Sequence, residues 1–113
     1  MALVFNGMDG EVLGKTMYNA AAQSLMKGGK VACEFAQHEF TQYSEDLNQL
    51  QKMVSDGTLT AEQGQYYADR RKLAMNSTLL TIDGLGLIDV QNAVNAALAV
   101  LTSALGNALM LKV

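Results

Sequence analysis

Seven apolar residues set the terms on which this chain can fold. Cys33, Ala36, Phe40, Tyr43, Leu47, Leu50 and Val54 follow one another at spacings of 3, 4, 3, 4, 3 and 4. On a helix of 3.6 residues per turn, that alternation holds every member on one narrow stripe. The spacing predicts a helix over about 31–55 with an apolar seam that another helix must cover. It fits a helix inside a bundle and a seam between subunits equally well. The opposite side carries Gln37, His38, Gln42, Glu45, Asn48, Gln49 and Lys52, residue types suited to water.

The punctuation around this segment predicts three more helices. "SDGTLTAEQ" is a joint between two of them. Gly57 is placed to end the second helix in a left-handed conformation. Thr60 and Gln63 have the T-x-x-Q spacing of a capping box, which starts a third helix over 61–82. The short connection makes helices two and three an antiparallel hairpin. Upstream, Asp9 can cap a helix over 10–27, with Glu11 in its first turn, where the helix dipole favours a negative charge. Its apolar face is Leu13, Met17, Ala21 and Leu25, and Gly28–Gly29 ends it. The residues before it, "ALVF", read as an apolar arm, because a lone strand has nothing to pair with. "IDGLG" either breaks the chain at Gly84 and Gly86 or bends a helix that runs on into a fourth, over 87–111. The chain has no proline in its 113 residues. The expected fold is all-α: one domain over 1–113, a three- to four-helix bundle or an extended helical hairpin with coiled-coil-like packing, preceded by an arm over 1–9.

Helix three has two apolar sides. Tyr66, Leu73 and Leu80 line one, and Ala68, Met75, Leu79 and Ile82 line another about 180° away at 100° per residue. A helix on the surface of a monomer needs one such stripe. Two opposed stripes predict a helix that is central in the bundle or shared with a second subunit.

The fourth segment is unusual in another way. Residues 90–111, "VQNAVNAALAVLTSALGNALML", hold no charged side chain. Leu87, Val90, Val94, Leu98, Leu101, Leu105 and Leu109 form a stripe of large residues. Ala93, Ala97, Val100, Ala104 and Ala108 form a second, small one. The rest is Asn92, Asn95, Ala99, Thr102, Ser103, Gly106 and Asn107. A solvated helix face usually collects Lys, Glu, Asp and Arg. Three readings compete: a core helix, an oligomer contact in which short polar groups bond across the interface, and a membrane span of about 20 residues. Against the span stand Asn95 and Asn107 inside it and the lack of aromatic or strongly basic flanks.

Charge and chemistry narrow the function classes. The net charge is −3, and charged residues make up 17% of the chain, against roughly 25% in typical globular proteins. Arg70, Arg71 and Lys72 are the only basic cluster, and consecutive helical positions spread them around the axis, so no nucleic acid partner is expected. One cysteine permits no internal disulfide, and the first residues lack the basic and apolar regions of a signal peptide. A cytoplasmic location is the default, with signal-independent secretion or membrane association left open. "MDGEVLGKT" has the end of a phosphate-binding loop, but Asp9 stands where the first glycine is required. His38 with Glu34 and Glu45 is one imidazole among carboxylates on a single helix, which reads as a solvated face rather than a metal site. Cys33 lies on the seam as a buried thiol with no adjacent histidine. Tyr66–Tyr67 reads as packing. No nucleophile, base and orienting group come together. No cofactor, metal or catalytic residue is assigned, and the chain is expected not to be an enzyme.

The leading expectation is a structural subunit that self-associates through apolar helix faces into a homo-oligomer or filament. The expected contacts are Phe40, Tyr43, Leu47 and Leu50 on helix two; Met75, Leu79 and Ile82 on helix three; and Asn95, Ala97, Val100, Ala104, Asn107 and Ala108 on helix four. Two alternatives use the same surfaces. One is a membrane-active protein, pore-forming or holin-like, that inserts helix four. The other is a small binding module, an inhibitor or chaperone, for another helical protein.

Overall fold

Each joint between the described helices falls where a glycine or a capping side chain permits it. The computed structural model describes residues 10–105, Leu111 and Val113, with only the backbone path described at 10, 11, 104 and 105. Among the described residues the elements are α1 (Gly10–Leu25), α2 (Gly29–Ser55), α3 (Ala61–Leu79) and α4 (Leu87–Leu105), with a 3₁₀ turn over Met26–Gly28 and no strand. The protein is an all-α bundle.

Between α1 and α2 the chain turns on Gly29, whose φ of +78° an L side chain would resist. The next joint uses Gly57, at φ +86°, and Thr60. The Thr60 side chain accepts from the Gln63 backbone N–H at 3.1 Å, while Gln63 Oε1 accepts from the Thr60 N–H at 3.0 Å. Both halves of the capping box are therefore made. Asp56 also accepts from the Thr58 backbone and hydroxyl, at 3.0 and 2.6 Å. At the last joint the "IDGLG" segment breaks the helix. Helix α3 ends at Leu79 and α4 begins at Leu87. Gly84 sits at φ +90°, in close approach to the Lys27 carbonyl. Asp89 Oδ2 accepts from the Gly86 N–H at 3.0 Å, tying down the start of α4.

The order across the bundle is α4–α1–α2–α3. Helix α1 packs extensively on both α2 and α4, α2 also packs on α3, and α3 barely touches α4. The helices covered on two sides are thus α1 and α2, so of the two arrangements expected for α3, central in the bundle or shared with a second subunit, the first does not hold. Leu13, Met17, Ala21 and Leu25 of α1 are fully buried between Ala36, Phe40, Tyr43 and Leu47 of α2 and Val90, Ala93, Val94, Ala97, Leu98 and Leu101 of α4. Burial of each large apolar side chain contributes about 1.5–3 kcal/mol.

Because α2 is flanked on two sides, it buries more than its seam. Ser44, Asn48 and Gln51 are also buried, so Asn48 does not belong to a solvated face as its residue type suggests. Ser44 Oγ donates to Met17 Sδ at 3.1 Å. The two helices come into close approach where Gly14 meets Thr41. A Cβ at Gly14 would lie 2.5 Å from Thr41 Cα and 2.7 Å from its backbone N. Gly14, Lys15 and Thr16 therefore sit inside a helix at a helix crossing, with the Thr16 hydroxyl donating to the Val12 carbonyl at 3.0 Å.

Candidate functional site

Most of the residues expected to meet another subunit are occupied within the chain. Phe40, Tyr43 and Leu47 of α2, Met75 and Leu79 of α3 and Ala97 of α4 are buried in its own core. Leu50, Ile82 and Val100 are half-buried, and Leu50 and Ile82 pack against that core. The helix-two seam is therefore an intramolecular seam. None of its core members is accessible to a second chain without opening the bundle. Asn95 alone of the named set is exposed. Ala104 lies outside the described side chains, and Asn107 and Ala108 lie outside the described residues, as do the arm over 1–9 and the cap at Asp9.

Helix α3 turns one of its two apolar sides inward and the other outward. Both of its apolar stripes are real, but the side against α2 is Ala68, Met75 and Leu79. The other stripe is bare: Tyr66 is 56%, Leu73 65% and Leu80 40% exposed. Tyr67, beside it, is exposed too and meets Tyr66 edge to face with ring centres 5.5 Å apart. The Arg70 guanidinium stands 5.6 Å above the Tyr66 ring, within cation–π range. Arg71, one residue on, points the other way and pairs with Asp46 of α2 at 3.1 Å.

A second bare apolar region lies at the end of the bundle where two joints meet. Lys27 Nζ and Asp89 Oδ1 are 3.5 Å apart, bringing the start of α2 to the start of α4. Met26, Val31, Leu87 and Ile88 are all more than half exposed there. Val31 and Phe35 line a cleft of about 330 Å³ together with Thr81, Ile82 and Asp83. Of these, the sequence pattern singled out Ile82 and Leu87; Met26, Val31 and Ile88 fall close to glycine-containing joints, where helical periodicity is interrupted.

The groove between α2 and α3 is another concave feature. The Arg71–Asp46 pair stands between a cavity of about 490 Å³, reaching Leu50, Tyr67 and Arg70, and one of about 250 Å³, reaching Glu39, Tyr43 and Thr78. Tyr43 is 3% exposed, and its hydroxyl has no hydrogen-bond partner among the described residues. Burial, with a contribution from the Asp69 charge, holds its ionisation well above the ordinary tyrosine range, so it stays neutral.

The remaining expected features fall as follows. Cys33 is half-buried rather than buried, and its hydrogen bond to the Tyr18 hydroxyl is the main reason that Tyr18 ionises above its usual range. His38, Glu34 and Glu45 are exposed, and no group of three His, Cys, Asp or Glu among the described residues could hold a metal ion. The outward face of α4 carries Gln91, Asn92, Asn95, Ala99, Thr102 and Ser103. It is neutral along its whole described length, and Thr102 bonds back to the Leu98 carbonyl at 2.9 Å. No helix among the described residues is long and apolar enough to cross a membrane.

These features define a small all-α bundle with exposed apolar side chains on α3 and at the joints. Comparison with protein-family models, with curated proteins and with solved structures returns no match.

Proposed function

We propose that this chain is a structural subunit that self-associates into a homo-oligomer or filament through apolar helix surfaces. One observation carries the reading: among the described residues the stripe of Tyr66, Leu73 and Leu80 on α3 and its C-terminal end is exposed rather than packed in the core. A lone exposed apolar residue is ordinary, but three large ones in register on one side of a helix, with Tyr67 beside the first, are more apolar surface than a solvated helix face usually shows. The low share of charged residues, 17%, leaves little with which to solvate the rest of the surface. The bare end around Val31, Leu87 and Ile88 supplies a second patch on a different part of the molecule. Two separate contacts per subunit permit an open chain of subunits, whereas one self-complementary contact closes at a dimer. On the neutral flank of α4, Asn95 offers hydrogen bonds that would set the register of neighbouring subunits.

The test is the mass of the full chain in solution, by light scattering coupled to size-exclusion chromatography over a range of concentrations. A mass that rises with concentration supports the reading, and a monomer up to high micromolar concentration overturns it. The cleft lined by Val31, Phe35 and Ile82 favours a second reading, a binding module for another helical protein. That reading requires the chain to be monomeric alone.

A further inference from the structure

We propose that the groove between α2 and α3 binds a small aromatic monoanion, an aryl carboxylate, with its ring against Leu50 and Tyr67 and its carboxylate on Arg70. The groove is separate from the exposed stripe of Tyr66, Leu73 and Leu80, so the proposal goes beyond the self-association reading and does not rest on it.

The larger cavity of the groove measures about 490 Å³, inside the range of roughly 300–1,000 Å³ that small-molecule sites occupy. Leu50 of α2 and Ala74 of α3 give it aliphatic wall, and Tyr67 gives it an aromatic one. Sites of this kind combine apolar and aromatic walls with a few polar groups that fix the orientation of the ligand.

The charges decide which ligand fits. Among the described residues Asp46, Arg70 and Arg71 are the charged side chains that line the cavity. Asp46 Oδ2 and Arg71 Nη2 stand 3.1 Å apart and offset each other. The other oxygen, Asp46 Oδ1, accepts from Gln42 Nε2 at 3.2 Å. Both carboxylate oxygens are therefore engaged. Arg70 makes no ion pair among the described residues. Its guanidinium is held 5.6 Å above the Tyr66 ring, and Nη1 reaches the Tyr66 hydroxyl at 3.5 Å. Arginine carries five N–H donors in a planar fork, so most of them remain for a ligand. The cavity thus holds one uncompensated positive charge, in a chain whose net charge is −3. One positive charge beside apolar walls calls for one negative charge on an apolar body. The guanidinium fork matches a planar carboxylate with two parallel hydrogen bonds. The cleft lined by Val31, Phe35 and Ile82 is also apolar, but its charged lining residue is Asp83, which repels the same anion.

Calorimetric titration of the full chain with sodium naphthoate, beside the neutral naphthylmethanol, tests this, with circular dichroism to check that each variant folds. The anion binds at least about tenfold more tightly than the alcohol, because only the anion makes charge-assisted hydrogen bonds. Arg70→Gln weakens the anion by at least about tenfold and moves the alcohol by less than about twofold, since it removes the charge and leaves the walls. Ala74→Trp, at an exposed position, fills the cavity and weakens both ligands. An anion that shows no saturable binding up to millimolar concentration overturns the proposal. An alcohol that binds as tightly as the anion overturns the choice of ligand. Anion binding that either variant leaves unmoved places the ligand outside the groove and overturns the site.

Discussion

Replacing Gly14 by alanine sets two effects of helix chemistry against each other. Glycine inside a helix costs about 1 kcal/mol relative to alanine, so propensity alone makes Gly14→Ala stabilising. The structure reverses that sign. The new Cβ would lie 2.5 Å from Thr41 Cα and 2.7 Å from Thr41 N, where carbon contacts settle at about 3.5–4.0 Å. Helices α1 and α2 must therefore part by about 1 Å at their crossing. The Cβ would also meet the Thr41 hydroxyl, which could rotate aside, but the backbone atoms behind it cannot. Overpacking of a core costs about 1–3 kcal/mol, and an immovable obstacle places this site at the top of that range. After the gain in propensity, a net loss of about 2 kcal/mol remains, or a fall of roughly 8 °C in Tm at about 4 °C per kcal/mol for a domain near this size. Urea unfolding followed by circular dichroism reads the change as a lower midpoint at unchanged slope. Ala20→Gly, at an exposed position of α1, is the comparison and loses only the propensity share of about 1 kcal/mol. A Gly14→Ala protein as stable as the parent, or more stable, would refute the close approach and the packing order built on it.

Two further predictions concern polar groups. The Tyr43 hydroxyl is buried without a protein partner among the described residues, and such an orphan costs about 1–3 kcal/mol. Tyr43→Phe should leave stability unchanged or raise it by about 1 kcal/mol in chemical unfolding, and a loss above about 1 kcal/mol would mean that the hydroxyl is bonded. Asp56 ionises below its usual range because the Thr58 hydroxyl and backbone N–H donate to it, and Asp89 does so because the Gly86 N–H does, with help from Lys27. A carboxyl whose folded pKa is depressed contributes stability above its unfolded pKa and loses it as pH falls through the folded value. The parent should therefore lose stability below about pH 4, and an Asp56→Asn/Asp89→Asn variant should lose less over the same range. Equal acid slopes in a pH series of urea midpoints would count against both hydrogen-bond sets.

The local devices of this fold were legible in the chain. The T-x-x-Q spacing at Thr60 and Gln63 specified a capping box, and Gly57 a left-handed stop, because each depends only on residues a few positions apart. The all-α class followed from helical periodicity for the same reason. The seam from Cys33 to Val54 showed that α2 must be covered, but the covering surface, α1 and α3, lies elsewhere in the chain. Periodicity reports that a face is apolar and says nothing of what sits against it. Hence the opposed stripes of α3 were both visible, and only tertiary packing decided that Met75 and Leu79 go inward while Tyr66 and Leu73 stay out. The same holds for Asn48, a polar residue buried because α2 is flanked on two sides, and for Gly14, whose role exists only where it meets Thr41. Helices and their ends are determined by short-range hydrogen bonding and backbone sterics, which the sequence by itself contains. Which faces remain for another molecule depends on the order of helices across the bundle, a long-range outcome that only the tertiary structure decides.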